Sequence, residues 1–172
     1  MKPRQLRRLI RFVIFGVLVL FVAWSLLPYS FYTIPEHDHS LLPAYLGGTR
    51  LFVRAVGEED ALERGRDVVY AMDREGVAYA RFGRLFGLPG DTIDARDGLL
   101  YVNGESTGLR GPPAGEVPPG TVYILAPNPF WDGERGGRPD EIESLYVDSR
   151  KLGFIRRDAV RAIVLSSISV FP

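Results

Sequence analysis

The residues best suited to chemistry lie together in Glu36-His37-Asp38-His39-Ser40. A serine hydroxyl is a poor nucleophile at neutral pH and needs a base within hydrogen-bond reach. Imidazole can serve, and the chain's two histidines, His37 and His39, stand beside this serine. Their spacing works against it. In a strand, His37 and His39 point to one face and Ser40 to the other, so pairing requires a sharp bend at Ser40. Two histidines at i and i+2 are a weak metal signature, and no metal is expected there. The chain has no cysteine, which excludes disulfides and thiolate metal sites. Its two lysines, Lys2 and Lys151, stand far from the serine in sequence; Lys151 reads as a solvated surface charge.

A second stretch, Arg81-Phe-Gly-Arg-Leu-Phe-Gly-Leu-Pro-Gly-Asp91, reads as a strand entering a tight turn. Proline presets φ, glycine takes a conformation closed to other residues, and aspartate bonds back to the backbone. Arg81 and Arg84 stay protonated and cannot act as bases.

The elements that must position these residues are mostly strands. Apolar stretches at Leu51–Val56, Arg66–Tyr70, Val77–Phe82, Thr92–Arg96, Leu99–Val102, Thr121–Ala126 and Ala159–Val170 are separated by turn residues. Asn103-Gly104 is a strong two-residue hairpin signal. The frequent Gly and Pro turns predict a mostly β body of antiparallel sheets. Residues 127–144 are rich in Gly, Pro and charge and read as a loop insertion. With 172 residues and 46% apolar content, the chain suits one anchored domain rather than two large ones.

Charge is segregated. Lys2, Arg4, Arg7, Arg8 and Arg11 precede any acid, and they leave 16 of the 21 basic residues to face all 21 acidic ones. No nucleic-acid footprint emerges. Phe12–Leu27 is an apolar run. As a helix it covers about 24 Å of a hydrocarbon core of about 30 Å, and flanking residues can supply the rest. The expectation is a single-pass membrane anchor contacting lipid, with the N-terminus in the cytoplasm. Residues 1–28 would form the basic flank and anchor, and residues 29–172 the extracytoplasmic domain. Bulky residues after Leu27 argue against a cleaved signal.

Several of these segments, in order, resemble the signal peptidase I family. Gly83-Arg-Leu-Phe-Gly-Leu-Pro-Gly-Asp91 resembles its Lys-Arg-φ-φ-Gly-Leu-Pro-Gly-Asp box, where φ is apolar. Ser40-Leu-Leu-Pro-Ala44 resembles its Ser-Met-x-Pro-Thr box. Asp67-Val68-Val69 resembles its Gly-Asp-Val-Val segment, Tyr101-Val-Asn-Gly104 its hairpin, and Asp148-Ser-Arg150 with Gly153 its Asp-Ser-Arg box. The resemblance implies a transmembrane helix followed by a body of small, coiled antiparallel β-sheets in the envelope of a bacterial inner membrane.

It also implies roles. Ser40 takes the nucleophile position. The catalytic lysine position is Gly83, which has no side chain. The oxyanion-hole hydroxyl two residues before the nucleophile is Asp38, whose charge would repel an oxyanion. The serine that supports the lysine is replaced by Tyr146. Arg84, Asp148 and Arg150 are kept, and the resemblance implies that they form one ionic cluster. Substrate would lie as an added strand along Ile34, Pro35 and Asp38 on one side and Tyr79, Arg81 and Phe82 on the other.

The expected protein therefore binds extended exported peptides or an envelope partner without Ser/Lys catalysis and without a cofactor. The alternative is an active serine endopeptidase processing signal peptides, with Ser40 as nucleophile and His37 or His39 as base.

Overall fold

The computed structural model describes residues 3–25, 27–36, 38, 41, 43–74, 77–127 and 148–168. Helix α1 (Pro3–Ser25) starts at a proline, whose missing N–H is not needed in the first turn, and ends before Pro28. Among the described residues, no helix is long and apolar enough to cross a membrane. Phe12, Leu18, Leu20, Phe21 and Trp24 of α1 are nonetheless exposed apolar side chains.

Among the described residues, eleven strands follow: β1 (Tyr29–Thr33), β2 (Arg50–Ala55), β3 (Asp67–Arg74), β4 (Val77–Gly87), β5 (Thr92–Arg96), β6 (Leu99–Val102), β7 (Glu105–Arg110), β8 (Gly115–Glu116), β9 (Thr121–Leu125), β10 (Ile155–Arg156) and β11 (Val160–Ile168). A short helix α2 (Ser149–Leu152) precedes β10. The strands form a seven-stranded sheet, β1-β2-β11-β3-β4-β9-β10, and a four-stranded one, β7-β6-β5-β8. The recorded strand pairings are antiparallel, as the sequence pattern predicts.

The large sheet is buried on both faces at its centre, which explains the unbroken apolar run Val68-Val69-Tyr70. Val69 packs with Ile34, Leu41, Leu51, Val53 and Phe82. Val68 and Tyr70 pack with Leu85, Val122, Ile124 and Ile163. Strand β9 joins the sheets. Ile124 belongs to that second cluster, while Tyr123 and Leu125 pack with Ile93, Leu100, Val102 and Leu109 of the small sheet.

The small sheet is pinned by its turns. Asn103 and Gly104 take φ of 51° and 84°, the pair of positive values that a two-residue hairpin of this hand requires. The Asn103 amide then donates to Asp91 Oδ1 at 2.8 Å, and its carbonyl accepts from Thr92 N at 2.8 Å. Asp91 closes its own turn by accepting from Leu88 N at 2.7 Å. The Pro-Gly-Asp turn and the Asn-Gly hairpin are therefore one hydrogen-bonded junction.

Candidate functional site

Strand β4 carries the centre of the candidate site, and its two edges differ. One edge pairs with β3 from Val77 to Arg84. The other pairs with β9 only at Arg84, Leu85 and Gly87. Among the described residues, nothing pairs with that second edge from Val77 to Gly83. Leu85 exchanges its backbone bonds on the β3 side, donating to Arg66 O at 2.9 Å and accepting from Gly65 N at 2.7 Å. By alternation, Ala78, Ala80 and Phe82 direct their N–H and C=O groups to the open edge.

At Gly83 the backbone has neighbours where a side chain would go. A Cβ there would fall 2.5 Å from Ile124 Cγ2, 3.2 Å from the Leu125 carbonyl oxygen and 3.4 Å from Tyr70 Cε1. Ile124 and Tyr70 are buried. The space that a lysine stem would enter is occupied by an isoleucine methyl and a tyrosine ring.

Tyr70 lies opposite Arg81 across the β3–β4 pair, so the two side chains share a face. Burial raises the pKa of the Tyr70 hydroxyl; Asp148 and Asp38 add to the rise, and Arg81 and Arg150 oppose it. The hydroxyl stays neutral and is a donor, not a base. Asp38 is 6% exposed, and its backbone N–H donates to Pro35 O at 2.9 Å.

The expected substrate segment on the other side is partly closed. Ile34 is buried, its N–H donates to Thr49 O at 2.9 Å, and its carbonyl accepts from Gly48 N at 2.8 Å. Ile34 therefore packs the core and has no backbone group left for an added strand. This close return of the chain depends on Gly47, whose missing side chain admits the Glu36 carbonyl. Pro35 and Tyr79 are exposed, Arg81 is half-buried, and Phe82 turns its ring into the core against Tyr32.

The expected single ionic cluster is divided in two. Arg84 forms a two-pronged pair with Asp67, Nε to Oδ1 at 2.7 Å and Nη2 to Oδ2 at 3.1 Å. Tyr45 joins it through a hydrogen bond to Asp67; burial first, then the Asp67 charge, raises the tyrosine pKa. Asp148 and Arg150 form a separate, fully buried pair, with Arg150 Nε 3.0 and 3.1 Å from the two carboxylate oxygens. Asp148 also accepts from Ala126 N at 2.9 Å, and Ser149 Oγ accepts from Ile124 N at 2.9 Å. The separation follows from register. Asp67 is directly opposite Arg84 on β3, so that guanidinium is satisfied before Asp148 enters.

Ser40, His37, His39 and Tyr146 lie outside the described residues, as does the 127–144 insertion beyond Pro127. The Tyr45–Asp67–Arg84 group and the place of Tyr70 were missed in sequence. Asp67 was visible in its Gly-Asp-Val-Val-like segment, but only strand register reveals its partner. Among the described residues, no group of side chains could hold a metal ion.

The pattern of the family described as "Signal peptidase, peptidase S26" matches residues 6–128. Over 70 residues the chain is 43% identical to signal peptidase I of Bacillus licheniformis, covering 38% of this chain and 35% of that protein. Over 91 residues it is 34% identical to signal peptidase I of Bacillus amyloliquefaciens, covering 51% of this chain and 46% of that one. The chain thus spans between about a third and a half of the length of these curated relatives. A solved signal peptidase I from Enterococcus faecalis aligns at 21% identity with a TM-score of 0.42, covering 62% of this chain and 98% of that one.

Proposed function

We propose that this chain, which belongs to the signal peptidase family (peptidase S26), is a member that holds extended exported polypeptides at the membrane surface without cleaving them by Ser/Lys chemistry. Strand β4 is the observation that carries the reading. Its open edge keeps the backbone groups of Ala78, Ala80 and Phe82 for an added strand. One residue further on, at the position of the family's base, Gly83 is packed against Ile124.

Family membership brings signal-peptide-bearing proteins as the ligand class. Helix α1 supports the membrane assignment. Its N-terminal part carries the basic residues Arg4, Arg7, Arg8 and Arg11, and its remainder exposes apolar side chains. We place it in a bacterial inner membrane with the N-terminus cytoplasmic.

A serine-directed acylating probe tests the loss of chemistry on the full chain in detergent. The comparison includes Ser40→Ala, Gly83→Lys and Gly83→Lys with Ile124→Ala. The expected result is no labelling of the parent, and labelling of a lysine variant only when Ile124 is cut back. Labelling of the parent at Ser40 would overturn the reading in favour of a histidine-assisted peptidase based on His37 or His39. Photocrosslinking from Ala80 tests the binding half, with an exported precursor peptide as the expected adduct.

A further inference from the structure

Arg81 stands out among the charged groups of this site. Asp148 and Arg150 neutralise each other, and Arg84 is held by Asp67. Arg81 is half-buried on the same face as the Tyr70 ring, and its charge is felt at that hydroxyl. Among the described residues, its guanidinium makes no hydrogen bond or ion pair. A partly desolvated guanidinium in this position is well disposed to bind a planar two-oxygen anion.

Its position matters as much as its charge. Arg81 sits between Ala80 and Phe82, whose backbone groups face the open edge of β4. A peptide strand added there would place alternate side chains on the face that Tyr79 and Arg81 share. We propose that the β4 edge selects extended peptides that carry a carboxylate opposite Arg81. Because the chain is read as holding its ligands uncleaved, the carboxylate is that of an acidic side chain within the added strand; a free C-terminal carboxylate is the competing outcome that the test separates. This inference rests on the strand-addition reading above and adds a chemical requirement to it.

Fluorescence anisotropy on the full chain in detergent tests it. The probe is an N-terminally labelled Ala/Val-rich octapeptide in three forms. One is a free acid, one a C-terminal amide, and one an amide with a glutamate near its end. The parent should bind the glutamate-containing amide about tenfold tighter than the neutral amide, as a charged hydrogen bond would give. A gain by the free acid alone would overturn the side-chain source. Arg81→Gln should remove the difference between the carboxylate and amide forms, and Arg81→Lys should retain part of it. Equal binding of all three forms by the parent, abolished together by Ala80→Pro, would overturn the carboxylate requirement and leave strand addition standing. Failure of the parent to bind any form would overturn both.

Discussion

The two halves of β4 belong to one continuous strand but lie in different surroundings. From Arg84 to Gly87 the strand is paired on both edges, and its arginine is clamped by Asp67. From Val77 to Gly83 it is paired on one edge only among the described residues, and it presents Tyr79 and Arg81 outward. The first half holds the sheet together. Apart from Phe82, which packs into the core, the side chains and open-edge backbone groups of the second half can change with less cost to the fold. Gly83 marks the boundary, where packing from β9 begins.

The paired half depends on β9, which the Asp148 clasp holds through Ala126 N and the neighbouring Ser149 through Ile124 N. Asp148→Ala would leave Arg150, whose side chain is 3% exposed, without its carboxylate. We expect a loss of about 3–5 kcal/mol in urea unfolding. A loss under 1 kcal/mol would mean that the clasp does not secure this half.

The boundary gives the next largest effect. Gly83→Ala should destabilise by roughly 1–3 kcal/mol through overpacking against Ile124. In an Ile124→Ala background the same change should cost much less. A double-mutant cycle without coupling would show that packing does not define the boundary.

Tyr123, opposite Gly87 on β9, has a buried hydroxyl with no hydrogen-bond partner among the described residues. Burial, then the Asp148 charge, pushes its pKa up to about 12 from the ordinary 10.0. A tyrosine with a raised folded-state pKa contributes stability that is full below pH 10 and is lost as pH rises through about 12. Tyr123→Phe should flatten part of that alkaline decline and raise stability at neutral pH by about 1 kcal/mol. An unchanged alkaline profile would remove Tyr123 as a cause.

The open half should give the smallest change in stability. The Ala80 N–H faces the unpaired edge, so Ala80→Pro removes no ladder bond and should alter stability by less than about 1 kcal/mol. It should nevertheless abolish crosslinking of an extended peptide. Leu85→Pro is the control in the other half, since the Leu85 N–H is bonded to Arg66 O. Equal damage from both prolines would erase the distinction between the halves.

Much of this arrangement was legible in the residues. Thr92–Arg96 and Leu99–Val102 were readable to the residue, because alternation and a two-residue turn fix register locally. Asn103-Gly104 declared its backbone conformation outright. The partner of Arg84 was not legible, because it depends on which residue of a strand 17 positions earlier comes to lie opposite it. The closure of Ile34 escaped for a similar reason. Nothing in the local sequence shows that residues 48 and 49 return to take its backbone groups. The filling of the Gly83 space was hidden too, since Ile124 and Gly83 meet only when β9 docks.

Strand β11 sits between β2 and β3, although it is the last of the described strands in chain order. During synthesis, β2 and β3 must wait, each with a bare edge, until nearly the whole domain has emerged. The small sheet, closed by two short hairpins, has no such wait. A nascent chain halted before Val160 would carry one finished sheet and one split into two sticky halves. The last described strand would then decide whether the domain matures or aggregates.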